Sequence, residues 1–487
     1  MTESTDQPNL HKPLLALAGP LIIANSFTTI QFTVDRAFLS QYDPNAMGAS
    51  MPASMVFWLP MSLLHGTAAY SSTFVAQYTG AGRPHRVGPA VWHSLYIAIL
   101  FGSLFWLVWP FAGLMFDSFG HEAKLIPLET TYFRTLLAAA APMGLVAALG
   151  GFFSGRGDSW TVTLMNLIGT VVNIALDYIL IWGRYDFPEM GIAGAGWATV
   201  IGSWASALVG LAIFLKPEFR TRYATSTGWK LEADLVWRYL KFGVPSGMQW
   251  MLEALSFTFF VLLVGQIGAA EANATSLTFT LNMFAFLPMM GLGQAVAVLV
   301  GQRLGENRPG LAERTTLIGV RWAFAYMAMI ALVYLALPQL LMMGFRPPAD
   351  SPQAAEFDAV SRIVPHLLVC VAIYSLADAV YVVFSFALRG AGDTRFVMWL
   401  TFILAWPVMI LPTWWLVRHD YSIYWPWATA TAYVGVMAVC FGLRFRKGHW
   451  KTMRVIESAG IEAAPLQEAV LRTGEAPLAD VGGVVRD

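Results

Sequence analysis

Residues 75–84 read VAQYTGAGRP and residues 300–309 read VGQRLGENRP, so a glutamine, a glycine and an Arg-Pro pair recur at a shift of 225 residues. Farther out, GRGDS at 155–159 is answered by GAGDT at 390–394, at a shift of 235. Two different motifs that recur in the same order are typical of an internal duplication. The chain is therefore predicted to consist of two copies of one unit.

The amino-acid composition indicates whether these two copies lie in water or in a membrane. Of 487 residues, 57% are hydrophobic and only 12% are charged, whereas soluble domains carry about 25% charged residues. The chain is therefore predicted to be an all-α integral membrane protein. Runs of about 20 apolar residues predict about twelve spans, near residues 14–39, 47–75, 88–116, 131–153, 160–183, 192–215, 236–265, 272–301, 314–343, 360–388, 395–417 and 423–443.

The basic residues are distributed unevenly between the two sides of these spans. One side is rich in arginine and lysine, and the positive-inside rule makes that side cytoplasmic, together with both termini. The residues on the rich side are Arg83, Arg86, Arg156, Lys216, Arg220, Arg222, Lys230, Arg238, Lys241, Arg303, Arg308, Arg314, Arg389, Arg395, Arg444, Arg446, Lys447 and Lys451. No removable signal peptide is expected, because the stretch before Leu14 is polar.

The duplication predicts the domain organisation. Six spans per copy is an even number, so both copies enter the membrane in the same orientation. The two six-helix lobes should be related by a pseudo-two-fold axis along the membrane normal, with a cavity between them. The expected parts are a cytoplasmic N-terminus (1–13), an N-lobe (14–215), a cytoplasmic linker (216–235), a C-lobe (236–445) and a largely disordered cytoplasmic tail (446–487).

Each repeated motif has a mechanical interpretation. The glycines, which include Gly66 and its counterpart Gly291, suit places where backbones approach closely. The Gly-x-Gly-Asp sequences resemble a motif of intramembrane aspartyl proteases, but Asp158 and Asp393 are also well placed to cap the next helix. We favour capping, because the motif stands in equivalent turns of both halves. The two cysteines have no metal-like spacing and predict no zinc site or disulfide.

Acidic side chains inside spans are the best candidates for chemistry, because an ionised carboxylate at the bilayer centre costs about 2.5 to 3.5 kcal/mol. Four qualify: Asp35, Asp177, Glu253 and Asp378. A polar residue precedes each by one helical turn and shares its face; these residues are Gln31, Asn173, Gln249 and Tyr374. Such faces can bind Na+ or take up H+, and the sequence does not separate the two ions.

The chain resembles the MATE (multidrug and toxic compound extrusion) transporters over about residues 12 to 450, and the match is closest to the NorM-like bacterial branch. The segments that carry the resemblance are TVDRAFLSQYD, VAQYTGAGRP, SGRGDS, VNIALDYILIWG, GIAGAGWAT, FGVPSGMQWMLEALSF, VGQRLGENRP and YSLADAVYVVFSFALRGAGDT.

The resemblance implies two sites. Asp35, Asn173, Asp177 and Thr199 match the family's cation site, with Na+ as the candidate metal, and Glu253 and Asp378 are further cation-binding or coupling residues. Glu253, Asp378, Tyr374 and Gln249 are candidates for substrate binding. One departure is Arg36, which follows Asp35 where the family usually has a small or neutral residue, and which would disable the N-lobe site if it neutralised Asp35.

The resemblance also implies a function: antiport of organic cations or drugs against Na+ or H+, by alternating access between the lobes, in a bacterial inner membrane. We expect small organic cations and membrane lipid as partners, no nucleic acid, no cofactor beyond the coupling ion, and a monomer. The alternatives are a flippase for lipid-linked precursors, which would need a strongly basic cavity, and an intramembrane aspartyl protease, which would need two aspartates that meet across spans. We predict that the protein is not an enzyme.

Overall fold

The computed structural model describes residues 10–346 and 353–457, and within these ranges every regular element is helical. Twelve helices are long and apolar enough to span a membrane, which confirms the predicted number. Numbered in chain order as spans 1 to 12, they are His11–Tyr42, Pro44–Gly80, Pro84–Ser118, Ile126–Gly155, Ser159–Leu180, Ile192–Phe214, Ala233–Gly265, Ala269–Gly305, Pro309–Ala336, Phe357–Ala391, Thr394–Arg418 and Tyr424–Arg446.

Three spans contain irregular turns. Span 2 is interrupted at Tyr70, between the helices Pro44–Ala69 and Ser71–Gly80. Span 3 contains 3-10 turns at Pro84–Arg86 and Phe105–Phe111. Span 11 widens into a π-helix over Ala405–Ile410, a segment that contains Pro407; because proline lacks an N–H and its ring collides with the preceding turn, the helix cannot continue there unchanged.

Shorter helices lie outside the spans. Pro217–Arg222 occupies the predicted inter-lobe linker. Pro338–Met343 follows span 9, and a 3-10 turn, His449–Thr452, follows span 12. The helix that contains span 10 begins earlier than the span itself, at Gln353.

The repeated glycines pack the two lobes against each other. A Cβ atom on Gly80 would lie 2.0 Å from the carbonyl oxygen of Gln302, and one on Gly305 would lie 2.3 Å from that of Gln77. Both distances are far below van der Waals contact, so only glycine fits at either position. The prediction of close backbone approach is confirmed, and the two backbones that approach are the two copies of the motif. We call this part of the molecule the closed end.

The glutamines of the repeat bind the second repeated motif across the lobe boundary. Gln77 Nε2 of the N-lobe donates to the carbonyl oxygen of Gly390 at 3.1 Å, and Gln302 Nε2 of the C-lobe donates to that of Gly155 at 2.9 Å. Each lobe therefore offers the same donor to the same acceptor of the other. This reciprocity is what a pseudo-two-fold axis between the lobes produces.

The two Gly-x-Gly-Asp motifs differ in what their aspartates do. Asp158 caps span 5 as predicted, because its side chain accepts from the backbone N–H of Thr161 at 3.3 Å. The capping prediction for Asp393 is wrong. Its carboxylate accepts from Nε and Nη2 of Arg444 at 2.7 and 3.2 Å and makes no capping bond to span 11. A bidentate arginine pair is stronger than a bond to a neutral amide, so Asp393 ties span 12 to the motif.

The contacts between the lobes are concentrated near the closed end. Gly66 of span 2 packs on Trp250 of span 7, and Gly291 of span 8 packs on Ile22 of span 1. Farther along span 1, none of residues 25–34 is buried, and Asn25, Thr28, Gln31 and Phe32 line a cavity between the lobes. The lobes are therefore in direct contact at the closed end and are separated by a cavity beyond it.

Part of the predicted disordered tail is ordered against the closed end. Val455 is fully buried and its N–H donates to Gln77 Oε1 at 2.9 Å. The Glu457 carboxylate accepts from Tyr78 Oη at 2.7 Å, from Arg86 Nε at 3.2 Å and from Arg238. Because Tyr78 and Arg86 belong to spans 2 and 3 and Arg238 to span 7, this carboxylate bridges the two lobes. Residues 458–487 lie outside the described residues.

The fit of the glycines predicts the effect of one methyl group. Gly80→Ala should destabilise the closed end by about 1–3 kcal/mol, the usual cost of overpacking, and should lower the melting temperature of the purified protein. Gly310→Ala is the matched control, since a Cβ there meets nothing within 4 Å. Equal melting temperatures for the two variants would contradict the packing described here.

The Glu457 bridge predicts a pH dependence. Burial raises the pKa of this carboxyl, but the Tyr78 hydrogen bond and the charges of Arg238 and Arg86 outweigh burial and hold the pKa below its ordinary value of 4.5. A lowered pKa means that the attachment is fully present above pH 4.5 and is lost as the pH falls through the lower folded value. The protection factors of the backbone amides of residues 450–457, corrected for the pH dependence of intrinsic exchange, should therefore stay high from pH 7 to 5 and fall only below about pH 4.

The variant Glu457→Gln removes the charge at every pH. Hydrogen bonds to charged groups contribute about 1.5–3 kcal/mol, so exchange of the same residues should rise about tenfold or more at pH 7. Glu306→Gln is the control, because Glu306 pairs locally with Arg303 at 2.9 Å. Unchanged exchange in Glu457→Gln would refute the bridge.

Candidate functional site

Four predicted residues of the N-lobe lie together in the structure. Asp35 of span 1, Asn173 and Asp177 of span 5 and Thr199 of span 6 are each at most 3% exposed. Asn173 Nδ2 donates to Thr199 Oγ1 at 3.4 Å, and the Asp35 and Asp177 carboxyls are within hydrogen-bonding reach of each other. The structure thus brings three spans to one point, which we call the N-lobe site.

Glycines allow spans 5 and 6 to meet at this point. A Cβ on Gly202 would lie 2.8 Å from the carbonyl oxygen of Gly169 and 2.9 Å from Cβ of Asn173. Since a side chain at either glycine would push the helices apart, the close crossing depends on both. The crossing sets the distance between Asn173 and Thr199, which stand on different helices.

The oxygens of the N-lobe site lack protein donors. Oδ1 of Asp35, both carboxyl oxygens of Asp177 and Oδ1 of Asn173 are buried, and no donor group among the described residues hydrogen-bonds to them. Buried polar atoms nearly always have a partner, and two adjacent carboxylates cannot both be ionised unless something compensates their charge. The site therefore has the chemistry to hold a proton or a cation with oxygen ligands, such as Na+.

Arg36 does not occupy the N-lobe site. Its side chain is exposed, whereas Asp35 is buried. Successive residues of an α-helix point about 100° apart, so two neighbours can face different surroundings.

The C-lobe candidates also gather, but on spans 7 and 10. Gln249 Nε2 donates to Ser385 Oγ at 3.2 Å, while Oε1 of the same amide is buried without a partner. Tyr381 Oη donates to the Glu253 carboxylate. Asp378 is 7% exposed and close enough to Glu253 for the two charges to repel each other. We call this group, with Tyr374, the C-lobe site.

Tyr374 shows how span 10 presents this site. Residues 374, 378, 381 and 385 follow the spacing of one helical face. Tyr381 and Ser385 were not among the predicted residues, although this spacing could have identified them once Tyr374 and Asp378 were chosen.

A cavity of about 260 Å³ lies between the lobes. Residues of spans 1, 2, 4, 5 and 6 line it from the N-lobe, and residues of spans 7, 8 and 10 line it from the C-lobe; they include Asn25, Gln31, Trp58, Asn166, Trp250 and Phe386. None of the four predicted carboxylates is among the lining residues. Gln249 and Ser385 of the C-lobe site directly precede the lining residues Trp250 and Phe386 in sequence. Glu253 is close enough to the lining residue Arg389 for their charges to interact.

Arg389 is a lining residue that the sequence analysis assigned to the basic cytoplasmic side. It is 7% exposed and lines the cavity. Its position just past the predicted span 360–388 gave no sign of this, because only the packing of the lobes brings its side chain to the cavity.

The described residues contain no group of three or more His, Cys, Asp or Glu side chains arranged to bind a metal. The N-lobe site has only two carboxylates, and its other oxygens are an amide and a hydroxyl. Cys370 and Cys440 are both free thiols.

Comparison with known proteins identifies the family. The sequence profile of the MatE family matches residues 20–179 and 245–415, which is more than half of the chain. The chain belongs to the MatE family. Since this is a family of transporters, the protein is a twelve-span membrane transporter and not an enzyme.

Individual relatives of this MatE transporter agree over most of its length. It is 28% identical over 404 residues to "Multidrug resistance protein PmpM" of Pseudomonas aeruginosa, covering 82% of each chain. It is 23% identical over 458 residues to "Probable multidrug resistance protein NorM" of Thermotoga maritima, covering 92% of this chain and 95% of the relative.

The fold is also similar to that of solved structures. A MOP superfamily transporter from Pyrococcus furiosus, 21% identical, superposes with a TM-score of 0.81 and covers 91% of this chain and 97% of its own. These relatives favour neither the lipid-precursor flippase nor the aspartyl protease.

The Tyr381 hydrogen bond can be tested by stability. Tyr381→Phe leaves the half-buried Glu253 carboxylate without this donor and should destabilise the protein by about 1–3 kcal/mol, seen as a lower melting temperature. Tyr421→Phe is the matched control, because Tyr421 is 40% exposed. If the two variants have the same melting temperature, the hydrogen bond from Tyr381 to Glu253 does not stabilise the protein.

Proposed function

We propose that this MatE transporter exports organic cations and related drugs in exchange for Na+ or H+, by alternating access between its two lobes. The single observation that carries the proposal is the N-lobe site, where four buried oxygens of Asp35, Asn173 and Asp177 have no protein donor. A group of this kind is stable only with a bound proton or cation, so its occupancy can be coupled to conformation.

The C-lobe site supports a role in substrate recognition and coupling. Glu253 interacts electrostatically with Arg389, which lines the cavity, and with Asp378 of the same site. A change of protonation at Glu253 or Asp378 would alter the charge next to a substrate in the cavity. The coupling ion and the substrate compete for the same charged groups. If each binds with a different affinity in the two conformations of the transporter, one is exchanged for the other.

The basic residues support an orientation. The closed end carries Arg83, Arg86, Arg238, Arg303 and Arg308, so the positive-inside rule assigns it to the cytoplasm. The state described here is then closed on the cytoplasmic side of a bacterial inner membrane, with both termini in the cytoplasm. The lobes of the proposed transporter correspond to residues 14–215 and 236–445, and the protein acts as a monomer.

The energy available to such exchange is modest. Each net elementary charge that crosses 100 mV supplies about 2.3 kcal/mol, equivalent to a concentration ratio of about fiftyfold. A one-for-one exchange of monovalent cations moves no net charge and is driven only by the chemical gradient of the coupling ion. This range suits an efflux pump that works against a moderate drug gradient.

A flippase for lipid-linked precursors is less well supported. A lipid pyrophosphate would need several basic side chains in the cavity, and the described lining contains one arginine, Arg389, and one histidine, His65.

Transport in proteoliposomes tests the proposal. Wild-type protein should export ethidium when a Na+ gradient or a pH gradient is imposed, and separate trials identify the coupling ion. Asp177→Asn should reduce ion-driven efflux to the level of empty vesicles, because the N-lobe site loses one of its two ionisable carboxyl groups. Asp420→Asn is the matched control, since Asp420 is exposed in the loop before span 12.

The C-lobe residues are tested in the same assay. Glu253→Gln and Asp378→Asn, reconstituted at equal amounts, should each abolish efflux, because neither amide can exchange a proton or hold a full charge. Unchanged ethidium efflux in both variants would exclude the C-lobe site from coupling. Wild-type protein that moves no dye under either gradient would refute the proposed function as a whole.

A further inference from the structure

Arg389 is a buried cation that faces the cavity and has no acidic partner. It is 7% exposed, its Nε is buried without a hydrogen-bond partner, and no described carboxylate forms an ion pair with it. A buried charge is expensive unless it is paired and hydrogen-bonded. The lack of an ion pair between Arg389 and any carboxylate of the described residues therefore requires an explanation.

Aromatic rings and a helix end keep the guanidinium in place. Its carbon lies 3.9 Å from the ring centre of Phe386 and 5.3 Å from that of Trp250. It also stands in the last turn of the helix Gln353–Ala391, where the helix dipole favours a positive charge. The hydroxyl of Tyr70, on the facing lobe, donates to the Arg389 carbonyl oxygen at 3.0 Å. These contacts orient the side chain without using its N–H donors.

The other residues that line the cavity are suited to the uncharged part of a ligand. Among the described lining residues Arg389 carries the only formal charge, and no aspartate or glutamate lines the wall. Phe32, Trp58, Trp250 and Phe386 supply flat apolar surfaces, while Asn25 and Asn166 supply neutral polar groups. A ligand with an anionic group and an aromatic body would find a partner for each part.

We infer that Arg389 is the anion-binding subsite of the inter-lobe cavity and that it makes the transporter distinguish aromatic ligands that carry a carboxylate from those that do not. A carboxylate that accepts two parallel N–H bonds from the guanidinium satisfies both buried groups. The inference rests on the proposed transport function, to which it adds a residue that selects ligands by their charge.

A structural role for Arg389 is the competing explanation. Glu253 is near enough to influence Arg389 electrostatically, so the arginine would serve only to balance the C-lobe carboxylates. The two roles differ in what they predict: loss of a structural cation weakens all ligands alike, whereas loss of an anion subsite weakens only ligands that carry the anion.

A matched pair of dyes separates the two roles. Rhodamine 110 carries a free carboxylate, and rhodamine 123 is its methyl ester with the same ring system. Binding of each to the purified full-length protein is measured by fluorescence anisotropy, with no ion gradient. Arg389→Gln should weaken rhodamine 110 at least tenfold, as expected for a charged hydrogen bond, and should change rhodamine 123 by less than twofold. Arg389→Lys should retain part of the preference.

Arg395→Gln is the control, because Arg395 is exposed at the start of span 11 and outside the cavity; it should leave both dyes unaffected. An equal loss of both dyes in Arg389→Gln, or a loss of neither, overturns the inference. If Arg389→Gln does not fold, wild-type protein is titrated with 2-naphthoate and with 2-naphthamide against bound rhodamine 110. The acid should displace the dye at tenfold lower concentration, and equal potency overturns the inference.

The outcomes for the subsite and for transport are distinguishable. If rhodamine 110 binds through Arg389 but neither dye moves under a Na+ or pH gradient, the transport function fails and the subsite stands. If ethidium is exported while both rhodamines respond alike to Arg389→Gln, the subsite fails and the transport function stands.

Discussion

The contact between the two copies of the repeat is the constraint on which the rest of the structure depends. Gly80 meets the Gln302 carbonyl and Gly305 meets the Gln77 carbonyl at distances that exclude any side chain. Backbones this close let each glutamine reach a glycine carbonyl of the other lobe. The lobes are held together at this end and are separated by the cavity beyond it.

The two copies of the repeat differ in the side chains that could carry chemistry. At the 225-residue shift Asp35 corresponds to Phe260, which is fully buried and packs edge-on against Trp427 at 5.9 Å. Glu253 corresponds to Thr28, which lines the cavity. The shared glycines build two similar lobes, while unshared carboxylates give each lobe its own buried site. A coupling ion and a substrate can therefore bind to different lobes of one transporter.

Much of the fold was predictable, because long apolar spans and small residues at helix contacts are local properties of the chain. The four carboxylates were identifiable for the same reason, since a charge in an apolar span is conspicuous. Arg389 and Tyr381 were missed because their roles depend on neighbours from other spans. Asp393 looked like a helix cap from its position, but Arg444, 51 residues away, is the partner that its carboxylate binds.

The sequence by itself determined the twelve spans, the duplication and the residues able to carry charge, because hydropathy and motif spacing depend only on the order of the residues. Tertiary structure alone decided how these parts meet: that Arg36 stays outside the N-lobe site, that the carboxylates lie away from the cavity, and that Arg389 faces it. The physical reason is that burial and partnership depend on how helices cross, and each crossing is set by contacts between residues far apart in the chain.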